Sequence, residues 1–141
     1  MKMKLLTLVI ICIACLSCSK ETIPGITGEY FGTYKYISTS VHSNDEFLHI
    51  YDSTNWPSSD AKVTVSIESN KTMKIVIRSE LRTTRIKGPY EENAGTYNCK
   101  GVKITDGYIS YYKVDYGVYH DHSTGSSAGG WVTGESLKAY R

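Results

Sequence analysis

Two stretches of the chain alternate apolar and polar residues with a period of two. "AKVTVSIE" places Val63, Val65 and Ile67 on one side and Lys62, Thr64, Ser66 and Glu68 on the other. After Ser69-Asn70-Lys71 the chain returns as "TMKIVIR", with Met73, Ile75 and Ile77 on one face. Strands with one dry and one wet side belong to an antiparallel sheet. A second hairpin is predicted where "VKIT" and "YISYYKVD" flank Asp106-Gly107. That dipeptide is favoured in two-residue type I′ turns, because both positions take positive φ.

The remaining elements are less regular. "GEYFGTYKYIS", from Gly28, predicts a strand with Tyr30, Tyr34 and Tyr36 on one face and Phe31, Thr33, Lys35 and Ile37 on the other. "EFLHIY" (46–51), the more polar "ELRTTRI" and residues 95–99 predict further strands, and Trp131–Tyr140 a last one. A Trp-Pro loop (Asp52–Asp60), a turn at Lys87-Gly88-Pro89 and a flexible loop over 121–130, "DHSTGSSAGG", punctuate them. No stretch has the 3.6-residue periodicity of an amphipathic helix. The expected fold is all-β, an antiparallel meander of about eight strands, with a small barrel and a two-sheet β-sandwich both compatible. Residues 28–141 form a single domain in this reading.

Composition changes what must fill the core. From Cys18 onward the only leucines are Leu48, Leu81 and Leu137, while isoleucine, valine and 12 tyrosines are abundant. This is a strand-former's balance. The tyrosine rings and the two tryptophans must supply much of the buried surface.

The N-terminus changes the address. Lys2 and Lys4 precede an almost unbroken apolar run, Leu5–Ile13, and small residues follow before Cys18. This is the layout of an export signal, and the run is shorter than the ~20 residues a membrane-spanning helix needs. Leu16-Ser17-Cys18 resembles the lipobox of bacterial lipoproteins. The resemblance implies cleavage after residue 17, acylation of Cys18, a tether over 18–27 that includes Ser19-Lys20-Glu21-Thr22, and attachment to the bacterial cell envelope. With no acidic residue directly after Cys18, the outer membrane is favoured. Cys15, preceded by Ala14, is an alternative site with a shorter apolar stretch before it.

Removing the signal removes two apparent clues. Lys2 and Lys4 account for the whole formal excess of +2, so no basic footprint for nucleic acid remains. Cys12 and Cys15 leave with the signal, so the domain keeps only Cys99 and no internal disulfide. A lone thiol of this kind is expected buried and inert.

The order of lipoprotein signal, short tether, "ITGEYFGTY", meandering strands and a last strand entered through "GGWVTG" resembles the small lipocalin-like (calycin-like) lipoproteins of Bacteroidetes. Gly28-Glu29-Tyr30 stands where lipocalins have Gly-X-Trp. The resemblance implies an up-and-down barrel whose mouth or interior holds a small apolar ligand.

Candidate chemistry is sparse. In Tyr119-His120-Asp121-His122 the paired His120 and His122 are possible zinc or copper ligands, with His42 and His49 as the remaining candidates. Tyr116, Tyr119 and Trp131, near the Gly/Ser-rich loop, are candidates for a surface that stacks on a glycan or anchors a protein partner. There is no Gly-X-Ser-X-Gly elbow and no phosphate-binding Gly loop opening a helix. Glu91-Glu92 are placed in a turn. The expectation is a non-enzymatic envelope lipoprotein without a cofactor, binding a small apolar ligand, a glycan or an envelope protein. A metal-dependent enzyme using His120 and His122, and an inhibitor or assembly factor for another envelope protein, are the alternatives.

Overall fold

The computed structural model describes residues 21–41, 53–68, 71–120 and 127–141. Among them lie nine strands: β1 (Gly28–Val41), β2 (Ser58–Glu68), β3 (Thr72–Ser79), β4 (Thr83–Pro89), β5 (Glu91–Asn93), β6 (Thr96–Cys99), β7 (Val102–Thr105), β8 (Tyr108–His120) and β9 (Ser127–Tyr140). One short 3₁₀ turn, Ser53–Asn55, is the sole helical element of the described residues.

The strands form a single antiparallel sheet in the order β4-β3-β2-β1-β9-β8-β7-β6-β5. First and last strands pair over Phe31–Val41, so the meander curls back on itself into a nearly closed barrel. The end strands of the sheet, β4 and β5, are consecutive in the chain and joined through Tyr90, and the barrel closes at a seam where β4 packs against β6. There Cys99 Sγ donates to the Gly88 carbonyl at 3.6 Å. One continuous sheet leaves no place for the two-sheet sandwich.

Local chemistry differs from the sequence reading at several points. Lys87, Gly88 and Pro89 do not turn the chain but finish β4, with Met73 opposite Gly88 and Thr72 opposite Pro89. Proline is tolerated because β4 borders the seam, where its missing N–H costs no ladder bond. Glu91 and Glu92 lie in β5, not in a turn. Residues 127–130 extend β9 rather than belonging to a loop, and the predicted strand at 46–51 lies outside the described residues. Type I′ geometry appears at the other two short hairpins. Ala94-Gly95 (φ 49° and 77°) joins β5 to β6, and Lys100-Gly101 (φ 48° and 86°) joins β6 to β7. At Asp106-Gly107 only the glycine has positive φ, 72°, the sign pattern of a type II turn. Tertiary bonds hold it: Gly107 N–H donates to Gly25 O at 3.1 Å and Gly107 O accepts from Arg141 N–H at 3.0 Å.

Those bonds close one end of the barrel, here called the base. The Tyr30 hydroxyl, wholly buried, lies 2.7 Å from both the Gly25 and Ile26 carbonyls. Arg141 donates to Thr27 O at 2.7 Å and lies over the Tyr30 ring. The tether is thereby stitched to the turn between β7 and β8 and to the C-terminus. Above the base the interior is packed with Val63, Val65, Ile67, Met73, Ile75, Ile77, Ile104, Ile109 and Leu137, all at most 2 % exposed, together with Tyr34. Each fully buried aliphatic side chain contributes about 1.5–3 kcal/mol.

At the opposite end three strands outrun the rest. β1, β8 and β9 have 14, 13 and 14 residues, whereas β5 to β7 have three or four. Pairing of β2 with β1 ends at Lys35, and pairing of β7 with β8 ends at Ser110. Pairing of β9 continues to Val41 and to His120. The result is a three-stranded arm rising from the barrel rim. Trp56 packs on its outer face, buried against Gly134 and stacked on Tyr112 with ring centroids 5.8 Å apart.

Candidate functional site

Strand alternation decides which side chains meet at the rim. On β9 the register that buries Leu137 and Ala139 also turns Glu135, Thr133 and Trp131 to the interior side. Cross-strand pairing sets Tyr36 and Lys113 beside Glu135, Asp115 beside Thr133, and Ser40 and Gly117 beside Trp131. The interior side of the arm is therefore polar and aromatic where the barrel interior is aliphatic.

Glu135 is the pivot. It is 7 % exposed, the one buried charged residue among those described. Its Oε1 faces Arg82 Nη1 at 3.5 Å, and its Oε2 accepts from Thr84 Oγ1 at 3.5 Å. The Tyr34 hydroxyl and Thr84 Oγ1 share a hydrogen bond at 3.2 Å. Arg82 also lies over the Tyr36 ring, 5.1 Å from its centroid. Burial pushes the Tyr34 hydroxyl up to about 12, with the nearby Glu135 charge adding to the rise and the Thr84 bond opposing it. Burial, then Glu135, likewise raises Tyr111. Both phenols stay protonated, and the carboxylate–guanidinium pair seals the aliphatic core from above.

Beyond this seal, Lys113 and Asp115 form an ion pair. Trp131 packs against Gly117, whose missing Cβ makes room for the indole, and remains 45 % exposed. Comparison with protein-family models, with curated proteins and with solved structures finds no match. Geometry and chemistry alone therefore bear on function.

The residues singled out from sequence are not all brought together. Tyr116 is 60 % exposed but pairs with Val132, on the outer side of the arm, whereas Trp131 is on the inner side. They cannot form one stacking surface, because neighbouring positions on a strand point to opposite faces. Tyr119 sits opposite Gly129 at a register irregularity near the tip. His120 ends β8, while His122, His42 and His49 lie outside the described residues, as does Cys18. Among the described residues no three His, Cys, Asp or Glu side chains gather into a metal-binding group. The proposed tyrosine face of β1 is largely core, with Tyr30 and Tyr34 buried and Tyr36 half-buried.

Sequence reading missed Arg82, Glu135, Lys113 and Asp115. The signal was present for three of them. Glu135 shares the parity of Leu137 and Ala139, and Lys113 and Asp115 share that of Ile109 and Tyr111. Charges in the apolar register mark where a strand leaves the core.

Proposed function

We propose that this is a non-enzymatic, lipid-anchored envelope protein of lipocalin-like type, which binds a polar partner on the interior side of its three-stranded arm. The supporting observation is the sealed rim. Side chains fill the barrel up to the Arg82–Glu135 pair, and the exposed aromatic and hydrogen-bonding groups lie above it. A small apolar ligand inside the barrel is disfavoured on the same ground. Trp131 offers a ring face, while Thr133, Asp115, Lys113 and Tyr36 offer donors and acceptors, a combination suited to a glycan or a polar protein loop. The mechanism is passive. Acylated Cys18 holds the base near the membrane, and the barrel carries the arm at the far end from the tether.

Two measurements test the reading. Cys18→Ala should abolish incorporation of radiolabelled palmitate and membrane retention; label entering that variant places the anchor elsewhere. Capture from envelope extract should be lost in Trp131→Ala and kept in Lys74→Ala, on the opposite wall. Capture indifferent to Trp131 removes the arm from the function.

A further inference from the structure

The outer wall below the arm carries a second surface. There Phe31 and Tyr140 are directly opposite each other on β1 and β9, each 58 % exposed. Tyr108 on β8 packs against Tyr140 with ring centroids 5.0 Å apart. Lys62 of β2 reaches over the Phe31 ring at 5.8 Å, and by strand parity Lys138 of β9 and Lys103 of β7 face the same side. Glu29, the acid of this lower wall on β1, is already bonded to Lys62 at 2.7 Å. Asp60 and Glu80, together with Arg78, line a groove beside Phe31 higher on the same wall, and Asp106 lies in the turn before Tyr108. With Lys62 paired to Glu29, Lys103 and Lys138 interleave with the exposed rings to make an aromatic face studded with lysines.

Residues 25–27 of the tether lie beside this face, while Glu21 upstream lies near Tyr90. Ile23 is fixed by a turn in which its carbonyl accepts from the Ile26 and Thr27 N–H groups at 3.0 and 2.9 Å. Gly25 is bonded to Gly107, the residue before Tyr108, and Arg141, the residue after Tyr140, is bonded to Thr27. From Cys18 to Ile23 the extended chain spans at most about 18 Å. A lipid on Cys18 therefore holds Tyr108 and Tyr140 within a short distance of the headgroups.

We propose that the wall formed by Phe31, Tyr108, Tyr140, Lys62, Lys103 and Lys138 seats on the anionic surface of the bilayer that holds the lipid anchor. This rests on acylation of Cys18. Tyrosine rings favour the membrane–water interface, with the ring apolar and the hydroxyl wet. Lysines near an anionic leaflet add attraction that falls off within a Debye length. So seated, the barrel lies on its β1–β9–β8 side, and the interior side of the arm, with Trp131, faces away from the membrane.

The test uses the full chain isolated from membranes and reconstituted into vesicles of phosphatidylcholine and phosphatidylglycerol. Lysines are acetylated briefly with an N-hydroxysuccinimide ester, and each site is read by mass spectrometry. Lys62, Lys103 and Lys138 should label about fivefold more slowly than in detergent, the factor that ~1 kcal/mol per lysine at an anionic surface gives. Lys74, on the outer face of β3 away from that wall, should not change. The protection should fade in pure phosphatidylcholine and at high salt. Equal labelling of both sets on acylated protein overturns the seating, and protection seen in whole envelopes but not in vesicles assigns the wall to a protein and overturns it too. The Cys18 peptide mass reads the anchor separately. Without the acyl mass the anchor is refuted, and the same labelling on the unanchored chain at vesicle excess then decides the wall.

Discussion

Arg82 and Glu135, from the turn after β3 and from the last strand, meet across the barrel rim with Nη1 and Oε1 3.5 Å apart. The carboxylate side chain is 9 % exposed and the guanidinium 44 %, so the two partners are not equivalent. Arg82→Ala leaves a buried charge without its cationic partner, whereas Glu135→Gln keeps a neutral acceptor for Thr84 and frees an arginine that water already reaches. A half-exposed pair falls short of a fully buried one. We expect about 1–2 kcal/mol lost in Arg82→Ala and about 1 kcal/mol or less in Glu135→Gln, by urea unfolding. The opposite order would mean that Arg82, not Glu135, is the group the rim must neutralise.

Alkaline pH should unfold the domain through its buried phenols. Tyr34 is raised to about 12, and Tyr30 and Tyr111 are raised as well, burial being the first cause in each. The ordinary tyrosine value is about 10. Between these values the unfolded chain releases protons that the folded chain keeps, so stability is full below pH ~10 and falls as pH rises toward 12. Each such tyrosine contributes a slope of up to about 1.4 kcal/mol per pH unit. Denaturation monitored from pH 9 to 12 should show the decline, and Tyr34→Phe should make it shallower. A flat profile to pH 12 would mean that the buried phenols ionise without unfolding.

Much of this fold could be read from alternation. Val63, Val65, Ile67, Met73, Ile75 and Ile77 are all buried as their period of two requires. Their neighbours were legible because each strand has a dry and a wet side. What was not legible depended on contacts remote in sequence. The pairing of Phe31 with Tyr140 closes the barrel, and no local pattern announces it. Gly88-Pro89 looks like a turn in isolation, yet Gly88 is a strand residue whose empty Cβ position is filled by the Lys100 side chain. The face on which Trp131 lies follows from the long register of β9, which continues through 127–130 where the Gly/Ser-rich composition reads as a flexible loop. The rim charges were missed since a glutamate between Gly134 and Ser136 reads as solvated until Leu137 and Ala139 reveal its side.

Gly134 should not accept a side chain. A Cβ there would overlap the Trp56 ring, which lies directly on the outer face of the arm. Gly134→Ala must lift the indole off the sheet, with an overpacking cost of about 1–3 kcal/mol. Its stacking on Tyr112 would be lost with it. The expected result is a lower unfolding midpoint with red-shifted tryptophan emission, and Gly134→Ala combined with Trp56→Leu should recover most of the midpoint. Failure of the double variant to recover would trace the cost to the strand backbone instead.

Cys99 should behave as a packed core atom rather than as a reactive thiol. Its side chain is wholly buried, bonded to the Gly88 carbonyl at the barrel seam, and burial raises its thiol above the usual range, only partly offset by Lys100. The thiolate is the nucleophile, so both access and ionisation oppose reaction. In the native protein an aromatic disulfide reagent should leave Cys99 unmodified on a timescale that modifies it completely in urea. Modification should follow the opening of the seam between β4 and β6, so its rate reports the stability of the closure itself. Rapid native-state modification would mean that the seam opens far more readily than the rest of the sheet, and hydrogen exchange at β4 and β6 would then be faster than at β1 and β9.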